Sequence, residues 1–185
     1  MRATDIPNDV REVLITEEEI QAKLAEIARQ IEVDYAECEP LLIGVLKGAV
    51  MVVSDLSREL TIPLKMDWMA VSSYGSGTES SGVVRILKDL DTDLTGRHVL
   101  IVEDIIDSGL TLSWLKKNLE SRGPASVEIC TLLRKPERLK SDVPVRYVGF
   151  DVPNEFVVGY GLDYDEQYRH LRDIIVLQPH VYGGE

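Results

Sequence analysis

Apolar residues along the chain fall into two kinds of run. Leu41-Leu42-Ile43-Gly44-Val45-Leu46, Val99-Leu100-Ile101-Val102 and Val127–Leu133 are short and largely unbroken, which predicts strands buried on both faces inside a parallel sheet. Between them the spacing turns helical, with Ile20, Leu24, Ile27 and Ile31, then Val53, Leu56 and Leu60, then Leu112, Leu115 and Leu119 each on one face. Thr16-Glu17-Glu18-Glu19 is a capping box opening the first helix, and Ser121-Arg122-Gly123-Pro124 stops the last. Further strands are predicted at Leu64–Val71, Val83–Leu87, Val145–Phe150 and Ile174–Leu177. The first two of these flank a Gly/Ser-dense stretch, Ser72–Gly82, as the arms of a hairpin. Strand and helix alternate, so the fold class is α/β, with a central, mostly parallel sheet flanked by helices. No internal repeat or linker divides the 185 residues, a length that fits a single domain, 1–185.

Composition narrows the function classes. Hydrophobic content of 44% and charged content of 28% are those of an ordinary globular protein. No apolar run approaches the roughly 18–20 residues that span a bilayer, and the first residues lack the apolar core of a signal peptide, so no membrane partner and a cytoplasmic location are expected. Cys38 and Cys130 read as reduced thiols, and His98, His170 and His180 show no metal-ligand spacing. A net charge of −12 argues against a nucleic-acid backbone as partner.

Chemistry concentrates where the middle strand ends. Val102 is followed by Glu103-Asp104, then Ile105-Ile106, an Asp107-Ser108-Gly109 turn and the helix that carries Leu112. In open α/β sheets ligands bind beyond the carboxyl ends of strands, and free N–H groups at a helix start attract phosphate. Carboxylates suited to a sugar or a metal therefore adjoin an anion nest. A P-loop ATPase also carries acids at a strand end, but it needs a Gly-Lys-Ser/Thr element, and no Gly-Lys pair occurs in the chain. Lys47-Gly48 repeats the strand, turn, helix order at the preceding crossover.

The stretch Val99–Thr111 resembles the phosphoribosyl pyrophosphate (PRPP) loop of the type I phosphoribosyltransferases, and Asp107 after Ile105-Ile106 resembles the hypoxanthine-guanine branch in particular. Lys47-Gly48 is similar to that family's pyrophosphate loop, Ser73-Tyr74 to a pair in its catalytic lid, and Phe156–Tyr164 to its purine wall. The likeness runs in order from Leu41 to Leu177. It departs at Leu110, where some members carry a basic residue, and at Ser108, which replaces a common Thr but keeps the hydroxyl.

The resemblance implies the type I phosphoribosyltransferase fold with a small hood over the purine site, formed from terminal segments. It implies purine salvage: transfer of ribose 5-phosphate from PRPP to N9 of a 6-oxopurine, with Mg2+. Glu103 and Asp104 would hold the ribose hydroxyls and metal, and Asp163 would lie near a second metal. Asp107, Ser108, Gly109, Leu110 and Thr111 would cradle the 5-phosphate, and Asp107 would be the general base. Lys47, Gly48 and Arg169 would bind pyrophosphate, and the peptide before Lys47 can be cis in this family. Lys135 would donate to the 6-oxo group, Phe156 would stack on the base, and the backbones of Val157 and Asp163 would read its edge. A homo-oligomer, dimer or tetramer, is the further expectation. The alternatives are a phosphoribosyltransferase for adenine, a pyrimidine or orotate, against which Lys135 and Asp107 speak, and a non-catalytic nucleotide- or RNA-binding regulator on the same fold.

Overall fold

The computed structural model describes residues 1–74 and 83–183. In chain order the elements are β1 (Val10–Ile15), α1 (Glu17–Asp34), β2 (Pro40–Leu46), α2 (Val50–Glu59), β3 (Lys65–Tyr74), β4 (Val83–Lys88), β5 (His98–Ile106), α3 (Leu110–Glu120), β6 (Ser126–Arg134), β7 (Tyr147–Asp151), β8 (Val157–Val158), β9 (Ile174–Leu177) and a short α4 (Pro179–Tyr182). β4, β3, β2, β5, β6 and β7 pair in that order into a six-stranded sheet, parallel except for β4.

Alternation along each strand explains why its apolar run is unbroken. Leu42 of β2, Leu100 and Val102 of β5, and Cys130 and Leu132 of β6 face α1 and α2. Leu41 and Ile43, Val99 and Ile101, and Ile129 face the opposite way, onto Leu112, Leu115 and Leu119 of α3. Successive side chains of a strand point to opposite faces, so a sheet covered on both sides has no polar positions to offer. Helix α1 begins as its capping box requires: Thr16 Oγ1 accepts from Glu19 N at 3.3 Å and Glu19 Oε2 accepts from Thr16 N at 2.8 Å.

The chain's two ends build a second sheet, antiparallel, in the order β1-β9-β8. Its residues Val158, Ile175 and Leu177 pack with Ala3 and Leu171 in a core of their own. Two polar ties join it to the helical layer. Tyr160 Oη donates to Asp55 of α2, which also accepts from Gln21 of α1 at 2.9 Å. Asp173 accepts from the backbone N–H groups of Ala3 at 3.2 Å and Glu17 at 3.0 Å.

One expectation needs correction. The middle strand does not end at Val102. It runs to Ile106 because β6 stays paired with it as far as Arg134, so Glu103 and Asp104 lie on the strand itself, beyond the last pairing with β2 at Gly44. The Phe156–Tyr164 segment is a short strand at Val157–Val158 and then a turn, where Gly159 (φ 101°), Tyr160 (φ 50°) and Gly161 (φ 102°) bend the chain sharply. After β9 the short α4 follows, with Pro179 in its first turn.

Candidate active site

The five parallel strands follow the order 3-2-5-6-7, so the direction of winding reverses between β2 and β5. A ligand crevice is expected at such a switch point. One is found there. A cleft of about 430 Å³ is lined by Lys47 and Gly48 beyond β2, by Glu103, Asp104, Ile105 and Asp107 of β5 and its turn, by Lys135 beyond β6, and by Phe156, Val157, Leu162, Asp163 and Arg169 of the terminal segments. A neighbouring pocket of about 220 Å³ is lined by Asp107, Ser108, Gly109, Thr111 and Leu112 and shares Glu103 and Ile105 with the first.

The two carboxylates of β5 are crowded. Burial pushes the Glu103 carboxyl well above its ordinary range, and the Asp104 charge beside it adds to the effect. Burial likewise raises Asp104 from 3.8 to about 6, against backbone N–H groups that oppose the rise. Gly48 makes room for this arrangement: a Cβ there would stand 1.7 Å from Asp104 Oδ2. The Leu46–Lys47 peptide is cis.

The oxygen donors of this acid pair, whose pKa values are raised, suit magnesium. Among the described residues no three His, Cys, Asp or Glu side chains converge to enclose a metal. Magnesium is commonly held by one or two carboxylates plus substrate phosphates, so an ion arriving with an anionic substrate fits here and a resident protein-only cage does not. Asp163 lines the same cleft, but its carboxylate already receives Arg169 Nη2 at 2.9 Å and Glu166 N at 2.9 Å.

At the helix start, α3 has no side-chain cap. Its N-cap is Gly109 in the left-handed region (φ 76°), and Leu110 N donates only a long bond, 3.4 Å, to Ser108 Oγ. Asp107 therefore does not cap the helix. Leu110 is absent from the pocket lining, whereas Ser108, Gly109 and Thr111 form it. The first N–H groups of α3 and the positive end of its dipole suit this pocket to an anion.

Lys135 is 9% exposed, and burial lowers its pKa while Asp107 opposes that shift. Phe156 is 41% exposed and meets Tyr164 edge-on, with centroids 5.8 Å apart, and Tyr182 of α4 at 5.4 Å. Ser73 and Tyr74 end β3, with Tyr74 opposite Val83 on β4; the rest of the expected lid, 75–82, lies outside the described residues.

Two charged neighbours were not anticipated. Arg138 pairs with Asp107 through its Nε, from a 3-10 turn that Pro136 starts after Lys135. Glu166 contacts both Lys47 and Arg169. Arg138 follows Lys135 by three residues, and Glu166 lies three residues from both Asp163 and Arg169; this proximity is the signal the sequence carries.

Comparison with known proteins agrees with this geometry. A family profile described as "Phosphoribosyl transferase domain" matches residues 14–165. A hypoxanthine-guanine phosphoribosyltransferase of Mycobacterium tuberculosis is 60% identical over 182 residues, covering 95% of this chain and 90% of that protein. A hypoxanthine phosphoribosyltransferase of Staphylococcus aureus superposes with a TM-score of 0.93 at 48% identity, covering 96% of this chain and 97% of the other. The Trypanosoma cruzi hypoxanthine phosphoribosyltransferase, solved with the product IMP, gives 0.87 at 45% identity, with 94% and 97% covered. With a family profile over most of its length and relatives of this identity, the chain is a member of the phosphoribosyltransferase family, in its hypoxanthine-guanine branch.

Proposed function

We propose that this enzyme transfers ribose 5-phosphate from PRPP to N9 of a 6-oxopurine, hypoxanthine or guanine, giving the purine nucleotide and pyrophosphate. The observation that carries the reading is a single cleft lined at once by residues suited to the base (Lys135, Phe156, Val157), to a sugar (Glu103, Asp104) and to a polyanion (Lys47, Arg169). The related T. cruzi enzyme binds IMP, which is the product expected from hypoxanthine.

In this reading Glu103 and Asp104 orient the ribose hydroxyls at the floor of the cleft. The pocket from Asp107 to Leu112 holds the 5-phosphate, with the Ser108 and Thr111 hydroxyls and the α3 N–H groups as donors. Lys135 donates to the 6-oxo oxygen, Phe156 packs on the base, and the Val157 and Asp163 backbones meet its edge. The base's N9 forms a bond to C1 of the ribose as the bond from C1 to the pyrophosphate oxygen breaks, and Asp107 accepts the N7 proton. Lys47 and Arg169 stabilise negative charge as it builds on the leaving pyrophosphate. Glu103 and Asp104 would hold a magnesium ion that arrives with PRPP, and Asp163 would lie near a second; magnesium there would supply charge neutralisation. Ser73 and Tyr74 belong to a lid that keeps water from the cationic sugar. We further infer a single domain over 1–185 with the β1-β9-β8 sheet as its hood, a homo-oligomeric state (dimer or tetramer), and a cytoplasmic location.

The test is a purine panel with saturating PRPP, following pyrophosphate release with and without Mg2+. Hypoxanthine or guanine should support Mg2+-dependent release and adenine should not. Equal turnover of adenine, or none with any base, would overturn the proposal.

A further inference from the structure

The two cations assigned to pyrophosphate already share an anion of the protein's own. Lys47 Nζ donates to Glu166 Oε2 at 2.7 Å, while Arg169 Nη2 donates to the other oxygen, Oε1, at 3.2 Å. One carboxylate thus bridges the residue beyond β2 and the residue in the terminal segment, both of which line the cleft. Arg169 is steadied from behind by Gly161, whose carbonyl accepts from Nη1 at 2.8 Å, and its Nη2 also meets Asp163 Oδ1 at 2.9 Å, so Lys47 is the cation that depends most on Glu166.

Glu166 is held in this place by an uneconomical turn. Tyr164 and Gln167 exchange backbone hydrogen bonds, 3.2 and 2.9 Å, around Asp165 (φ 50°) and Glu166 (φ 62°). Positive φ at both central residues is the type I′ turn, whose usual occupants are Asn-Gly or Asp-Gly. The second position here carries Glu where glycine would be the relaxed choice. Glu166 N also donates to Asp163 Oδ2 at 2.9 Å, so the turn is anchored to a residue of the cleft.

We propose that the Glu166 carboxylate is a built-in counter-anion of the pyrophosphate subsite, occupying Lys47 and Arg169 in the free enzyme and displaced by the pyrophosphate group when it binds. This rests on the pyrophosphate role given above to Lys47 and Arg169. Binding must then break two ion pairs, so Glu166 weakens the hold on pyrophosphate and favours its release after transfer. Lys47 and Glu166 are both mostly solvent-exposed, which makes the contact readily reversible.

Calorimetric titration of inorganic pyrophosphate, in Mg2+ buffer, into wild type, Glu166→Gln, Lys47→Met and the double variant tests this. With each exposed pair contributing modestly, Glu166→Gln should bind pyrophosphate about three- to tenfold more tightly than wild type. The gain should shrink in the Lys47→Met background, where one of the two cations is gone. An unchanged thermal midpoint would show that the variant is folded. Unchanged or weaker binding by folded Glu166→Gln overturns the inference, weaker binding identifying Glu166 as a contributor to the bound state. Wild type failing to bind pyrophosphate at all would instead overturn the underlying assignment of Lys47 and Arg169.

Discussion

At the scale of single residues, the decisive groups are those whose ordinary structural job the fold leaves to others. An aspartate just before a helix commonly caps it, yet Gly109 is the N-cap of α3, and Asp107 instead stands between Arg138 and the cleft. Asp107→Asn should therefore cost little stability. It should lower kcat about 10²- to 10⁴-fold, as loss of a general base does, while PRPP affinity stays close to wild type. Steady-state kinetics with a direct PRPP titration checks both halves. In the proposed reading Lys135 is the corresponding residue for the base. A buried ammonium is tolerated where it meets an acceptor, and a hydrogen bond from a charged donor contributes about 1.5–3 kcal/mol. Lys135→Met is expected to reduce kcat/KM for hypoxanthine by roughly 10- to 150-fold, with PRPP binding intact. A fall confined to PRPP binding would place Lys135 elsewhere in the mechanism.

At the scale of elements, the site is a meeting of strand ends, and its tolerance is set by close approach. Gly48 lets the turn after β2 pass against the Asp104 carboxylate of β5. Gly48→Ala should push these apart and lower kcat/KM by about 10²-fold, the effect of an ångström-scale misplacement, with a small change in thermal midpoint. An unperturbed rate would show that Asp104 does not need its present position. Much of this level was legible beforehand: the apolar runs gave β2, β5 and β6, and the 3.6-residue spacing gave α1, α2 and α3. The end of β5 is not legible in the sequence because carboxylates inside a paired strand run against the apolar pattern of strand interiors. Only the register with β6, a long-range fact, shows that the strand continues. The same limit hid Glu166, whose contacts with Lys47 span 119 positions. The Lys47, Lys135 and Arg169 positions were chosen by likeness to a family, since periodicity alone cannot distinguish a surface charge from one lining a cleft.

At the scale of the whole molecule, an acidic protein has to gather cations where an anionic substrate binds. Against a net charge of −12, Lys47, Lys135 and Arg169 line one cleft, with Arg138 paired to its Asp107. No described helix is long and apolar enough to cross a membrane. The acid pair at the cleft floor carries a cost in the free protein. Asp104 keeps its proton to about pH 6 when folded, against an unfolded value of about 4, so between these values the folded state binds more protons. Stability from this group therefore falls as pH rises through that window, and Glu103, raised in the same direction, adds to the fall. The Glu103→Gln/Asp104→Asn variant should be more stable than wild type near neutral pH, with the gain fading as pH approaches 4 in thermal melts of the substrate-free proteins. No gain near neutrality would mean that the pair is better compensated than its surroundings suggest.

The most direct measurement of the central claim, that the end of β5 gathers the substrate's sugar, uses the same variant: calorimetric titration of PRPP, in Mg2+ buffer, into Glu103→Gln/Asp104→Asn beside wild type. Loss of the two charged acceptors should weaken binding by about 100-fold or more in a folded protein. Binding equal to wild type would contradict the account.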